Sequence, residues 1–422
     1  MFKKYEIPIL IVSIFILILI LRFLFHFSFK NEFELGENVN LEHTFLRLPF
    51  KNEFQQYLYI ENVLVTLPLF PEYGYGDKVR LKGVVESYVS NTDKEVLEKL
   101  IIKNPEAELV ENRGLAVLKF VRQKVLSAYK SVLPPREAGL IAGIVLGAED
   151  GIDLDFKNEL KKTGMLHVVV ASGSNVILVA GIVFNLITGL VKKRLAIIFT
   201  IAGIFFYAFL TGFDPPIVRA SIMASFAFSA MLLGRQKVAM LSLLFSGWIM
   251  LMVSPKLISD IGFQLSFSAS FGILLFQRVI HYVVRFVPRI VRDDFATTIS
   301  AQIGALPFLL IAFGEVNLLS IFINVILLWT VPVIMIFGLA GGVLGLISPY
   351  LAQPLILIAY PFLAFFSYVV SLTSNFYIPL TLTSIFTPIA VIYYVLLVYI
   401  LTSSKFKVQS SKFKVQSSKF KD

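Results

Sequence analysis

Lys192-Lys193-Arg194-Leu195-Ala196-Ile197-Ile198-Phe199-Thr200-Ile201-Ala202-Gly203-Ile204-Phe205-Phe206-Tyr207-Ala208-Phe209-Leu210-Thr211-Gly212 decides the fold class. From Leu195 to Gly212, 18 residues pass without a charge. A helix of that length rises about 27 Å, close to the roughly 30 Å hydrocarbon core of a bilayer. Lipid offers the backbone no hydrogen bonds, so such a run crosses as a helix. The basic triplet before it is the charge that stays on the cytoplasmic side.

Runs of the same kind fill the chain. They are placed at 165–190, 195–212, 216–233, 238–253, 260–276, 295–313, 317–347, 351–373 and 386–402. Residues 7–27 add an uncleaved first span, so about ten crossings are expected, with 317–347 long enough to be one broken or two shorter helices. Residues 139–147 are too short to cross and suit a re-entrant segment. The composition agrees. Of 422 residues, 57% are hydrophobic and 16% charged, with mean hydropathy +0.79. Soluble domains carry about 45–50% apolar and about 25% charged residues. These values exclude a cytosolic enzyme. With no cysteine, disulfide scaffolds and cysteine-ligated metal sites are excluded too. The fold class expected is mainly α, a polytopic helical bundle with a small extracytoplasmic OB-like β domain.

The loop charges set the topology. Threading from a cytoplasmic N-terminus preceded by Lys3 and Lys4 puts Lys192, Lys193, Arg194, Arg235, Lys237, Arg278, Arg285, Arg289 and Arg292 inside. The short outer loops among those spans hold only Lys256. The chain is therefore expected in the plasma (inner) membrane with its β domain outside. Five segments follow: an anchor at 1–27, the β domain at 28–113, an interfacial and re-entrant segment at 114–164, the bundle at 165–402, and a disordered lysine-rich heptad array at 403–422.

In residues 28–113, 10 Lys and Arg face 15 Asp and Glu. Residues 57–68 and 78–89 are β-rich, and Gly76-Asp77-Lys78-Val79-Arg80-Leu81-Lys82-Gly83 alternates as a half-buried strand does. Residues 115–129 read as an amphipathic helix, with Val117, Leu118, Val121, Val125 and Ala128 on one face and Lys119, Arg122 and Gln123 opposite.

Polar groups within the spans carry the functional signal. The first group is His167-Val168-Val169-Val170-Ala171-Ser172-Gly173-Ser174-Asn175, where His167, Ala171 and Ser174 share a helical face and Gly173 permits a break. Pore lining and plain interhelical hydrogen bonding are both open readings. The second, around Pro215-Pro216-Ile217-Val218-Arg219, places Arg219 one turn inside its span, where it snorkels or meets an anion. The third sets Asp260, Gln264 and Ser268 in a stripe, with Asp260 near enough in depth to pair with Arg219. Gln302 sits mid-span, and Asn317, Ser320 and Asn324 form a further stripe. Arg278, Arg285, Arg289 and Arg292 read as a basic interfacial helix on anionic lipid, and Glu149, Asp150, Asp153 and Asp155 as helix N-capping in preference to a cation site.

Catalytic chemistry has little support. The four histidines form no zinc-type pair, no P-loop occurs, and Ser172 lacks a nucleophile-elbow context. No catalytic residue, metal or cofactor is assigned, and the chain is expected not to be an enzyme.

In order, Leu133-Pro134-Pro135, Thr163-Gly164-Met165-Leu166-His167, Ala171-Ser172-Gly173-Ser174-Asn175, Pro216-x-x-Arg219, Leu233-Gly234-Arg235, Asp260-x-Gly262-Phe263-Gln264-Leu265-Ser266, Ala301-Gln302, Pro307, Phe313-Gly314 and Asn324 resemble the ComEC competence family of DNA-uptake membrane proteins. The resemblance implies an inner-membrane channel passing single-stranded DNA to the cytoplasm during natural transformation. It implies partner proteins as well, a DNA receptor and a cytoplasmic ATP-driven helicase. By resemblance His167, Ser172, Ser174, Asn175, Arg219, Asp260, Gln264, Gln302 and Asn324 line or shape the path. Many members continue into a metallo-β-lactamase-like nuclease domain. None is found after residue 402 here, so nuclease activity is not carried over from the family, and a separate nuclease is an open partner. A channel or transporter for another solute on the same scaffold is the alternative.

Overall fold

The computed structural model describes residues 15–24, 33, 35–45, 49–51, 55–60, 63–71, 73–92, 95–110, 113–148, 151–169, 172–234, 239–317, 319–376, 379–381 and 393. Most of the first span, Glu149, Asp150, Arg235, Lys237, the 386–402 span apart from Tyr393, and the C-terminal array lie outside the described residues. The chain divides into two compact units, residues 1–132 with 340–354, and residues 133–339 with 355–422.

The first unit holds a short apolar helix α1 (Phe15–Leu24) and eight strands. They are β1 (Asn38–Thr44), β2 (Phe50–Lys51), β3 (Gln55–Ile60), β4 (Val63–Pro68), β5 (Lys78–Val84), β6 (Glu86–Thr92), β7 (Glu95–Lys103) and β8 (Glu106–Val110). They form a sheet of order β1-β5-β8 and another of order β2-β3-β4-β7-β6, with only β4 and β7 parallel. The single β run at 57–68 is a hairpin, Gln55 opposite Pro68 and Ile60 opposite Val63. The expected alternation in β5 is present, with Val79 and Leu81 in the core with Phe45, Val65 and Leu67, and Lys78 and Arg80 facing out. Each such apolar side chain contributes roughly 1.5–3 kcal/mol.

The 71–77 turn is held from two sides. Buried Gln56 donates its amide to the carbonyls of Pro68, Leu69 and Pro71 at 2.9–3.0 Å. Gly76 takes φ +86°, which a Cβ would oppose. Helix α2 (Arg113–Val132) then corrects the amphipathic reading. Its supposed solvent face docks on this turn. Lys119 pairs with Asp77, and Arg122 stacks 4.5 Å over the Tyr75 ring and is buried. Val117, expected on the apolar face, is exposed, and so is Phe120. Val125, Ala128 and Tyr129 pack on the small-residue stripe of a later helix. Cβ atoms at Gly342 and Gly345 would come within 2.9 Å and 2.7 Å of that face.

The second unit is helical. Its elements are α3 (Pro135–Leu146), α4 (Leu154–Thr163), α5 (Leu166–Val169), α6 (Gly173–Thr188), α7 (Lys193–Leu210), α8 (Pro215–Leu232), α9 (Ala239–Val253), a 3-10 turn (Pro255–Ser259), α10 (Ile261–Val283) and α11 (Arg289–Phe313). After α11 come β9 (Glu315–Asn317), α12 (Ser320–Leu327), α13 (Thr330–Ile347), α14 (Pro349–Ser374) and β10 (Pro379–Thr381), which pairs with β9. The last residues of α13 and the first of α14 belong to the first unit.

Among the described residues seven stretches are long and apolar enough to cross a membrane: Leu166–Thr188, Lys193–Leu210, Pro215–Leu232, Ile261–Val283, Val291–Ala312, Thr330–Ile347 and Pro349–Ser374. The protein is a multi-pass membrane protein, mainly α with a small β region. Helix α9 spans only 15 residues, and the 317–347 run is broken into α12 and α13. Helix α3 is buried from Ala138 to Leu146 and ends on Gly147 at φ +64°. Glycines seat it. A Cβ at Gly139 would strike the Gly151 carbonyl, and Gly338 lies against Ile141 and Val145.

Candidate functional site

Three helix starts meet in the second unit. Ser172 is extended and precedes α6, whose first residue Gly173 lies against the first turn of α8. A Cβ there would sit 3.1 Å from Arg219 Nη2 and 3.2 Å from Ala220 Cβ. Pro215 and Pro216 open α8, where a missing N–H costs nothing. A Cβ at Gly262, in the first turn of α10, would lie 3.9 and 4.0 Å from these prolines. Helix N-termini carry amides without intrahelical acceptors and a partial positive charge.

Arg219 stands among them. Its Nε donates to Ser266 Oγ of α10 at 2.6 Å, its Nη1 reaches Met223 Sδ at 3.5 Å, and the guanidinium lies 5.9 Å from the Phe267 ring centre. The expected pairing with Asp260 is not formed. Asp260 is the N-cap of α10 and accepts from Phe263 N at 2.8 Å. Its position at a helix start gives the carboxylate a nearer backbone donor. Arg219 therefore has no carboxylate partner among the described residues, and its neighbours are a hydroxyl and a thioether.

Ser172, Ser174 and Asn175 form a chain of contacts at the start of α6. Ser172 Oγ and Ser174 Oγ are 2.6 Å apart, and Ser172 Oγ donates to Asn175 Oδ1 at 3.1 Å. Asn175 is fully buried and donates to the Ile144 carbonyl at 2.9 Å. That carbonyl is in the last turn of α3, so Asn175 ties the buried helix to α6.

The remaining expected residues gather elsewhere. His167 is not on one face with Ser174, because Ser172 is extended and the helix of Ser174 starts after it. The imidazole Nδ1 lies 2.7 Å from the Gly164 carbonyl. Gly164 at φ +74° packs on Ser320, where its Cβ would come within 2.8 Å of the serine Cβ. Ser320 accepts from Gln302 Nε2 at 3.2 Å, and Asn317 Nδ2 donates to the Lys162 carbonyl at 2.7 Å. Asn324, one turn further along α12, is buried with its Oδ1 unpartnered. Gln264 turns back to the Ile258 carbonyl at 2.8 Å, and Ser268 to Leu265, so that stripe is satisfied by backbone. Asp153 occupies the N-cap position of α4 without a side-chain cap bond. Among the described residues no three metal-ligating side chains converge.

Three residues had gone unnoticed. Arg136 in the first turn of α3 donates to Glu159 of α4 and, at 2.7 Å, to Ser371 of α14, and its guanidinium lies 4.0 Å from the Phe156 ring centre. Arg136 next to Glu137, and Glu159 among Lys157, Lys161 and Lys162, are charges at the edge of apolar runs, but nothing in the spacing links them to Ser371.

The family described as Competence protein matches residues 144–407, more than half of the chain. ComE operon protein 3 of Bacillus subtilis (strain 168) is 26% identical over 238 residues, covering 56% of this chain and 30% of that protein. An uncharacterized protein of Aquifex aeolicus (strain VF5) is 34% identical over 114 residues, 27% of each chain. The matched region thus spans less than a third of either relative's length. No solved structure matches the chain.

Proposed function

The chain belongs to the competence protein family, and from that premise we propose that its helical bundle conducts incoming single-stranded DNA across the plasma membrane during natural transformation. The observation that carries this reading is Arg219, a cation without a carboxylate partner among the described residues, held where α6, α8 and α10 begin. A phosphodiester suits such a place. A guanidinium donates two parallel bonds to it, and helix-start amides favour the same anion. Gly173 lets the Arg219 Nη2 edge and the first amides of α6 share one spot. A strand passing through would exchange one phosphate for the next. Such a path needs binding weak enough to release, and Ser266 and Met223 replace the phosphate between contacts.

In this reading the chain is a conduit and not an enzyme. Energy comes from partner proteins, a DNA receptor outside and an ATP-driven helicase inside. The N-terminus is cytoplasmic and the β domain extracytoplasmic. Labelling of Ser172 by an active-site serine probe would overturn the non-enzymatic part.

The test is complementation. In a competent strain deleted for the gene, uptake of labelled DNA should vanish and return with the wild-type gene. It should stay low with Arg219→Ala at equal membrane abundance. Unchanged uptake after deletion sinks the proposal. A second reading, transport of another solute, is favoured by the β domain, where Lys78, Arg80 and Lys103 are already paired with carboxylates. Solute flux in liposomes that single-stranded DNA does not inhibit would support it.

A further inference from the structure

The hairpin of α10 and α11 ends in a feature that no step of DNA passage uses. Its helices have 23 and 25 residues, or roughly 35 Å of rise, slightly more than the hydrocarbon core. They cross at fixed height, because Cβ atoms at Gly272 and Gly304 would come 2.4 Å from the Ser300 carbonyl and 2.2 Å from that of Ser268. Helices of this length that cross a bilayer would bring their connecting tip to headgroup level.

The tip is built, not loose. Val284 is buried, and Arg292 turns back to donate to the carbonyls of Arg285 and Val287. What remains outside is apolar and cationic together. Val283 and Phe286 are 60% and 80% exposed, and Tyr282 carries the Arg285 guanidinium 5.3 Å over its ring. Arg278, Arg285 and Arg289 are exposed and form no ion pair among the described residues. Of the nearby acids, Asp293 lies 3.1 Å from His281, and Asp294 is the other.

We propose that this tip binds anionic phospholipid, with Phe286 and Val283 at the acyl boundary, Arg285 and Arg289 on the phosphates, and Arg278, about 7.5 Å back along α10 from Val283, snorkelling outward to them. Depth favours lipid over a soluble acidic partner. A chain already committed to the bilayer on both sides of a headgroup-level tip presents Phe286 first to the leaflet. The inference stands whatever crosses the bundle.

The chain has no cysteine, so Val283→Cys gives a unique attachment point for an environment-sensitive dye. The full-length protein is reconstituted in phosphatidylcholine vesicles with and without phosphatidylglycerol. With phosphatidylglycerol the emission should shift to the blue, and lipids brominated near the headgroup should quench it. Phosphatidylglycerol retained through purification should drop about fivefold for each arginine changed to Gln. A dye equally open to aqueous iodide in both vesicles overturns the proposal, as does retention unchanged in R278Q/R285Q/R289Q. So does protection that arises only when a soluble protein is added. The vesicle comparison needs no arginine variant, so a variant that fails to fold leaves the test intact.

Discussion

Arg80 and Arg219 are both arginines on regular elements with apolar neighbours, and they are answered differently. Arg80 on the central strand β5 lies between Glu42 of β1 and Glu108 of β8, with Nη2 2.8 Å from the first carboxylate and Nη1 3.6 Å from the second. Lys78 shares Glu42, and Lys103 meets Glu86 at 3.2 Å. This face of the β domain neutralises itself. In the helical unit the partners of Arg219 among the described residues are a serine hydroxyl, a methionine sulfur and the face of the Phe267 ring. A cation balanced by carboxylates serves the sheet that holds it. One placed in apolar surroundings with neutral partners keeps its attraction for an anion that arrives later.

The comparison breaks or holds first on a pair of substitutions. Arg219→Ala should lower DNA uptake about 30-fold or more at equal membrane abundance, the cost of removing one partner of a desolvated charge contact. Arg80→Ala should change uptake less than about twofold, since exposed pairs contribute little. Uptake measured with labelled DNA in the complemented strain decides. Equal losses from both would erase the distinction. Arg219→Lys keeps the charge without the fork and should restore only part of the activity.

The next effect separates the site from its scaffold. In Gly173→Ala the new Cβ lies 3.1 Å from Arg219 Nη2, which can swing away, and 3.2 Å from Ala220 Cβ, which needs a shift of a few tenths of an ångström. In Gly272→Ala it would lie 2.4 Å from a backbone carbonyl that cannot move alone. Overpacking costs about 1–3 kcal/mol in either place. The first should therefore lower uptake about tenfold with normal abundance. The second should lower the yield of monodisperse protein in detergent. Uptake and yield falling together in Gly173→Ala would show that α6 and α8 merely pack there.

A smaller effect is expected from Ser266→Ala. Loss of the hydroxyl that holds Arg219 Nε at 2.6 Å should cost about 1 kcal/mol, or roughly fivefold in uptake. Unaltered uptake would mean that Ser266 does not position the guanidinium.

What could be read without coordinates followed averages, and what could not followed single side chains. The spans at α7, α8, α13 and α14 were legible because hydropathy sums over eighteen residues or more. The β domain announced itself through alternation at Val79 and Leu81. Ser172, Arg219 and Asp260 were legible as unusual polar groups, but the Arg219–Asp260 pair was not formed. Position along a span gives a residue's place near one end but not its rotation about the helix, so a capping carboxylate reads as a partner. Arg122 misled for a related reason. An amphipathic pattern marks a polar face, and nothing in it says that Tyr75 and Asp77 will cover that face. The breaks at Ser172 and between α12 and α13 lie inside apolar runs, where hydropathy is silent.

The smallest expected effect tests the β side of the comparison directly. Hydrogen bonds from Lys78 and then Arg80 hold the Glu42 carboxyl below its ordinary value near 4.5. Burial pushes the His43 imidazole, edge-on to Phe45 at 5.2 Å, below its ordinary 6.5. A group whose proton affinity is lowered in the fold stabilises it fully above the unfolded value and loses that contribution as pH falls through the folded one. The β1–β5 pairing should therefore loosen in two stages on acidification, from below about pH 6.5 for His43 and from below about pH 4.5 for Glu42. Amide hydrogen exchange of β1 and β5 in the full chain should show both. Glu42→Gln should remove the lower stage and leave the upper one, whereas an unchanged lower stage would mean that the ladder around Arg80 is not what acid dismantles. The Arg219–Ser266 contact contains no carboxylate to titrate, so the same acidification should leave it in place, and that contrast is the difference between the two arginines restated as a measurement.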